Sequence, residues 1–223
     1  MAEIHGKTGG IYNSTALIRG VTISFDNVTS QIRDSANGLV AAGFVAGQKI
    51  TVIGSADNNT NFTIAGGGVA VGALTLTGTP PVNTEAAGAL VTVYLQPSGT
   101  AVAGFHSWEL SKDADTVEAT DFEDAGVKAH VLGGTGWNAT GERNWQDDND
   151  VWGGDAVGSP RWVRFFLKYV ADPSGGDPAY YYEGLSHVKT GTVKTEVNDI
   201  VRQTFKFEGC GALTLITRTT AWA

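Results

Sequence analysis

The 223-residue chain carries a formal net charge of −8, with 42% hydrophobic and 17% charged residues, 30 glycines and 6 prolines, a composition that excludes disordered, collagenous and fibrous classes. One cysteine, Cys210, excludes an intrachain disulfide framework and a multi-cysteine zinc cluster, and no apolar run approaches the ~20 residues of a membrane helix. The acidic balance disfavours chain-wide attraction to nucleic acid or anionic membrane, and the opening Met1-Ala2-Glu3-Ile4-His5 lacks the basic-then-apolar order of a secretory signal, which predicts synthesis in a cytoplasm.

Helical spacing of apolar residues is scarce, and glycine interrupts it where it begins. Alternation of period two takes its place. Residues 21–25, 49–53, 62–64, 74–77 and 90–94 are rich in Thr and Val and bounded by Gly, Asn, Asp or Pro, which predicts strands. Gly54-Ser55-Ala56-Asp57-Asn58-Asn59-Thr60-Asn61 supplies hairpin turn chemistry between the second and third. Short strands at this spacing predict a compact β unit over about residues 21–96. Its first and last strands are expected side by side, since an inserted domain must leave and re-enter its host at neighbouring points.

Beyond it, residues 105–110 alternate and residues 111–124 form a polar, acidic stretch. Residues 127–132 then resume the alternation. A long exposed hairpin fits this order better than a core crossing. Residues 137–145 place Trp137, Ala139 and Trp145 on one face, residues 144–158 are the best place for a short helix, and residues 162–170 read as a strand. The turn Asp172-Pro173-Ser174-Gly175-Gly176-Asp177-Pro178 leads to Tyr180-Tyr181-Tyr182, and residues 191–197, 201–208 and 212–216 complete the strands.

Catalytic and metal motifs fail one by one. Cys210 has His187 as its nearest histidine in sequence, but nothing in the spacing joins them into a nucleophile–base pair, and a buried apolar role is the better reading. The 4 histidines have no HxH or HxxxH spacing. Calcium-loop frames fail at both acidic clusters: from Asp148 the fifth position is Trp152, and from Asp57 the sixth is Phe62 where glycine is required. Gly134-Thr135-Gly136-Trp137-Asn138-Ala139 matches a loose dinucleotide fingerprint, yet an alternating strand follows it where a helix N-terminus must hold the pyrophosphate. There is no phosphate-binding P-loop, HExxH or nucleophile elbow. No catalytic residue, cofactor or metal is expected.

A composite pattern is more informative. His5-Gly6-Lys7-Thr8-Gly9-Gly10-Ile11-Tyr12, then Ser107-Trp108-Glu109-Leu110-Ser111, Asp115-Thr116-Val117-Glu118-Ala119-Thr120-Asp121-Phe122, Gly133-Gly134-Thr135-Gly136-Trp137-Asn138-Ala139-Thr140, and finally Phe205-Lys206-Phe207-Glu208-Gly209-Cys210-Gly211-Ala212-Leu213 together resemble the tail tube (major tail) proteins of long-tailed bacteriophages. The likeness covers residues 1 to about 20 and about 98 to 223. Residues 21–97 depart from it: Ile32-Arg33-Asp34-Ser35-Ala36-Asn37-Gly38-Leu39 and the stretch from Gly43 to Ser55 resemble a small β module that recurs in phage tail proteins.

The resemblance implies a mainly β fold: a tail-tube β-sandwich or barrel with one short helix (residues 1–20 and 98–223), plus an inserted small β domain (residues 21–97). It implies a non-enzymatic virion protein whose hexameric rings stack into the conduit for the genome. Its partners would be copies of itself and the tape measure, terminator and distal tail proteins, with DNA passing through the lumen without specific binding and with no membrane. An acidic lumen lets DNA slide where a basic one would hold it. The expected contacts between rings or subunits are Asp113, Asp115, Thr120, Asp121, Phe122, Glu123 and Asp124 of the long hairpin. Two other readings stay open: an adaptor on the same fold, and a free-standing carbohydrate- or surface-binding β module, for which the Trp and Tyr content speaks.

Overall fold

The computed structural model describes residues 10–14, 16–96, 105–118, 130–144, 158, 160–195 and 200–220. Its contacts divide the chain into two compact units, Met1–Tyr12 with Ala101–Thr220, and Asn13–Thr100 with Ala221–Ala223. Both are built from strands. Among the described residues there is no α-helix, and the one helical feature is a 3-10 turn at Pro173–Gly175, capped by the Asp172 side chain, which accepts from the Ser174 N–H. The expected short helix at 144–158 falls almost entirely outside the described residues.

The larger unit is one seven-stranded sheet. Its order is β1 (Gly10–Asn13), β11 (Pro160–Lys168), β12 (Ala179–Lys194), β13 (Arg202–Gly209), β10 (His130–Asn144) and β9 (Phe105–Glu118), with β14 (Thr214–Arg218) pairing β12 off this path. The sheet curls. Phe165 on β11 and Trp108 on β9 stand four strands apart in the order, about 19 Å in a flat sheet, yet their ring centroids are 5.6 Å apart. At Gly141 of β10 an added Cβ would lie 2.5 Å from Ile11 on β1 and 2.8 Å from Phe105 on β9, so both edge strands close over this glycine. Period-two alternation then puts Trp137, Ala139, Phe205, Phe207, Val163, Phe165 and Val188 inside the curl, where they form one buried cluster.

Arg143 also faces inward and is buried. Its Nε donates to Gln203 Oε1 at 2.6 Å, and its guanidinium lies 5.6 Å from the centre of the Phe205 ring. β11 is buried on both faces, for Trp162, Arg164 and Phe166 point away from the cluster. Arg164 donates to Glu183 at 2.8 Å, and Phe166 meets Tyr12 and Tyr181 at centroid distances of 5.7 and 4.9 Å.

The smaller unit has the order β2 (Leu17–Gly20), β8 (Val91–Leu95), β5 (Lys49–Ile53), β6 (Asn61–Ala70), β7 (Ala73–Leu76), β4 (Gln31–Asp34) and β3 (Ile23–Asp26). β6 turns a corner: it pairs β5 up to Thr63, breaks register between Ile64 and Val69 around Gly66-Gly67-Gly68, and continues against β7. Such a bulged corner strand folds one sheet into two layers, here around Ile23, Phe25, Ile32, Ile50, Val52, Phe62, Ile64 and Leu74.

The strand pattern matches the sequence expectation closely at 49–53, 74–77 and 90–94, and one placement differs. The strand beginning near Val21 does not lie beside the strand at 90–94. It sits at the far edge as β3, and β2, four residues upstream, pairs with β8 through Leu17–Tyr94, Ile18–Val93, Arg19–Thr92 and Gly20–Val91. Val21 is 53% exposed and lies in the bend between β2 and β3, so its alternation with Ile23 and Phe25 joins a turn residue to a strand. The strand beside β8 is instead β2, which lies in the stretch before residue 21 that the sequence pattern assigned to the host.

Candidate functional site

The candidate site is the arm formed by β9 and β10. These strands pair from Phe105–Arg143 to Glu118–His130, with a bulge at Gly133-Gly134. β13 accompanies β10 only over Asn138–Asn144. From Lys112 to Glu118 and from His130 to Trp137 the two strands therefore continue as a two-stranded ribbon that pairs with nothing on either side among the described residues. Among the described residues, each such edge leaves a row of backbone N–H and C=O groups without a strand partner.

Of the seven residues expected at the contact, the structure places Asp113 and Asp115 on the exposed first strand of this ribbon. Asp113 stands opposite Gly136 and accepts from Asn138 Nδ2 at 2.6 Å. Thr120, Asp121, Phe122, Glu123 and Asp124 lie outside the described residues.

At the base of the ribbon is a feature that motif reading missed. Trp137, 5% exposed, donates from Nε1 to the Gly211 carbonyl at 2.9 Å. A Cβ on Gly209 would fall within its indole, and one on Gly184 would lie 2.9 Å from Cζ2. The Gly209-Cys210-Gly211 segment is thus the cradle of Trp137. Beside it opens a notch of about 360 Å³ lined by Lys112, Trp137, Ala212 and Leu213 among others. The Lys112 ammonium stands 5.0 Å from the Tyr182 ring centre. A signal for the cradle was present in the glycines two and four residues past Phe207. Lys112, a lone cation in an acidic stretch, was the signal for the notch.

On the outer face of the sheet a larger cleft of about 570 Å³ runs past Asn138, Thr140, Thr190 and Lys206. At its side Lys189 pairs with Glu208 at 2.9 Å. This pair holds the Glu208 carboxyl below its ordinary range.

His187 Nδ1 lies 3.0 Å from the Gly158 carbonyl, while Cys210 Sγ faces the Glu208 carbonyl at 3.6 Å, so each is engaged with backbone. Residues 134–139 lie within β10 and open no helix. The loop at Asp57 serves a carboxylate instead of a cation: Glu85 accepts from the Ser55 hydroxyl, from Ala56 N–H at 3.0 Å and from Asn58 Nδ2 at 3.1 Å. No group of three His, Cys, Asp or Glu placed to hold a metal occurs among the described residues, and no helix among them is long and apolar enough to cross a membrane. The cluster at 147–150 lies outside the described residues.

No family model and no curated protein matches the chain. Solved structures do match. One, from the virion of a native gene transfer agent particle, is 16% identical with a TM-score of 0.41, over 52% of this chain and 88% of the other. A second, from the tail of an empty gene transfer agent particle with C6 symmetry, is 15% identical with a TM-score of 0.41, over 52% of this chain and 85% of the other.

Proposed function

We propose that this chain is a structural protein of a phage-type virion tail, the tail tube subunit, whose hexameric rings stack into the conduit for the genome. The observation that carries the reading is the β9–β10 ribbon. A lone two-stranded hairpin is marginally stable in water, and among the described residues this one leaves the curled sheet with no strand paired to either edge. A second copy satisfies such edges. The sequence pattern supports the same reading, because its pieces occupy adjacent or touching strands of one curled sheet: Ile11 on β1, Trp108 on β9, Trp137 on β10 and Phe205-Phe207 on β13.

In this reading the protein performs no catalysis and needs no cofactor. It works with further copies of itself and with other tail proteins in the virion, and an overall charge of −8 lets DNA pass without being held. The inserted domain expected at residues 21–97 also takes in β2, Leu17–Gly20, and Asp113, Asp115 and residues 120–124 form the contact between rings.

Negative-stain electron microscopy of concentrated protein tests the proposal. Rings or tubes with a central hole are expected. A protein that stays monomeric at high concentration, as an isolated carbohydrate- or surface-binding module would, overturns it. Phe122→Ser tests the contact: tube elongation is lost while rings and melting temperature persist. A fall in melting temperature with elongation intact would assign Phe122 to the subunit core. Fully burying a Phe is worth roughly 1.5–3 kcal/mol, and repetition around a ring multiplies that contribution.

A further inference from the structure

We infer that Asn37 is a latent deamidation site, kept intact in the folded protein by the carboxylate of Asp34. Asn37-Gly38 is the one Asn-Gly pair of the chain. Asn37 is exposed, in the turn that follows β4, with a left-handed backbone at φ 61°. In deamidation the Gly38 nitrogen gives up its proton and attacks Asn37 Cγ; a new C–N bond forms, the bond from Cγ to Nδ2 breaks, and ammonia leaves with the proton. Water then opens the five-membered imide at either carbonyl, which leaves aspartate or isoaspartate at this position. Glycine as the attacking residue has no Cβ to hinder the approach.

The folded turn opposes both the loss of the proton and the attack. The Gly38 N–H donates to Asp34 Oδ2 at 2.7 Å, while the Ala36 N–H and the Thr22 hydroxyl donate to Oδ1 at 3.0 and 2.6 Å. Burial pushes the Asp34 carboxyl up, and these donors outweigh it and hold the group below its ordinary value. An anion therefore faces the N–H whose proton must leave, and it disfavours a second negative charge beside it. Attack also requires rotation about the Asn37 Cα–C bond, which takes the Gly38 N–H off the carboxylate. The rest of the turn resists that rotation: the Asn37 N–H donates to the Asp34 carbonyl at 3.1 Å, the Asp34 N–H donates to the Gly72 carbonyl at 3.0 Å, and a Cβ on Gly72 would lie 2.5 Å from Asn37 Oδ1. Opening of the turn thus exposes Asn37 to a one-way reaction. The product carries a new negative charge close to Asp34, and isoaspartate adds a methylene to the backbone, so the turn cannot close as before.

Mass spectrometry of the full chain tests this. The protein is held at mildly alkaline pH, folded or unfolded in urea, and the exchange of NH2 for OH is followed on the tryptic peptide of residues 34–49. A reaction that needs local opening runs at the unfolded rate multiplied by the open fraction, so the folded protein should react roughly tenfold more slowly or less. In Asp34→Asn the one acceptor oxygen serves Thr22 and Ala36, and an NH2 faces the Gly38 N–H. With its β2–β8 amides still protected, this variant should deamidate about tenfold faster than the unaltered protein. Equal rates in folded and unfolded protein overturn the inference. A folded Asp34→Asn protein that reacts no faster than the unaltered one also overturns it, and assigns the protection to the shape of the turn. If Asp34→Asn does not fold, amide exchange of Gly38 in the unaltered protein decides: exchange as slow as in the β4–β7 ladder is expected, and exchange as fast as at exposed amides while Asn37 stays intact overturns the inference. None of these outcomes bears on the tail reading.

Discussion

The two units close their sheets differently. In the smaller one, the outer edge of β3 is occupied: Phe25 exchanges both backbone hydrogen bonds with Glu85, at 2.9 and 3.0 Å, and the Glu85 carboxylate ties that segment to the 55–58 loop. Asp34 organises the other end, accepting from the Thr22 hydroxyl at 2.6 Å and from the N–H groups of Gly38 and Ala36 at 2.7 and 3.0 Å. The larger unit has an aromatic core and a sheet that curls on itself, but its β9–β10 ribbon is left open. A small β domain that covers an edge in this way behaves as a self-sufficient body. Among the described residues the ribbon of the larger unit has no such cover.

The largest expected effect is at Trp137. Trp137→Ala removes the ring that fills the Gly209–Gly184 cradle, together with its hydrogen bond to Gly211, and should destabilise the larger unit by about 3–5 kcal/mol. Five of the six tryptophans lie within residues 101–220 and Trp222 groups with the smaller unit, so in a Trp222→Phe background tryptophan fluorescence follows the larger unit. The fluorescence midpoint should fall while amide exchange of the β2–β8 and β5–β6 ladders stays protected. Loss of protection in both units together would show one cooperative body and remove the contrast.

The smaller unit should be sensitive to acid. Burial pushes the Glu85 carboxyl up, and the hydrogen bonds from Ser55, Ala56, Asn58 and Asp57 outweigh this and hold it below its ordinary value. For Asp34, burial is likewise outweighed by Thr22, Gly38 and Ala36. A carboxyl depressed by folding stabilises the fold above its unfolded value, about 4.3 for Glu and 3.9 for Asp, and the contribution is lost as pH falls through the folded value. Amide protection in the smaller unit should therefore be level between neutral pH and about 5 and decline below about 4. Glu85→Gln should lower its stability at neutral pH by about 1.5–3 kcal/mol, the range for hydrogen bonds to a charged group, and flatten the acid slope. A slope unchanged in the Gln variant would place the sensitivity elsewhere, with Asp34 next to test.

These features differ in how far the sequence announces them. Alternation is a local property, so β5, β7 and β8 and the Trp137–Ala139 face were legible, and so was the acidic interval as the start of an exposed hairpin. The curl was not. It depends on Ile11 and Phe105, nearly a hundred residues apart, meeting over Gly141, and a glycine in a strand does not declare what approaches it. The β2–β8 pairing was hidden because Val21 extends the apparent alternation through a bend. At the site, the charges of the ribbon could be read directly, whereas the notch combines residues around 112, 137 and 212 that only strand pairing brings together.

The smallest expected effect concerns the outer face of the larger unit. Lys189 and Glu208 meet at 2.9 Å with side chains 66% and 59% exposed. Solvent screening and the entropy of holding two long side chains offset most of the attraction in such a pair. Lys189→Ala should leave the fluorescence midpoint unchanged within measurement scatter. Along this face Lys206 lies between Thr140 and Thr190, and Thr204 between Glu142 and Thr192, two polar rows. A surface that contributes nothing measurable to its own fold is free to be shaped by contact with other chains. A clear drop in midpoint on Lys189→Ala would instead make these rows part of the subunit's stability, and the open ribbon would then be the one surface of this unit left for assembly.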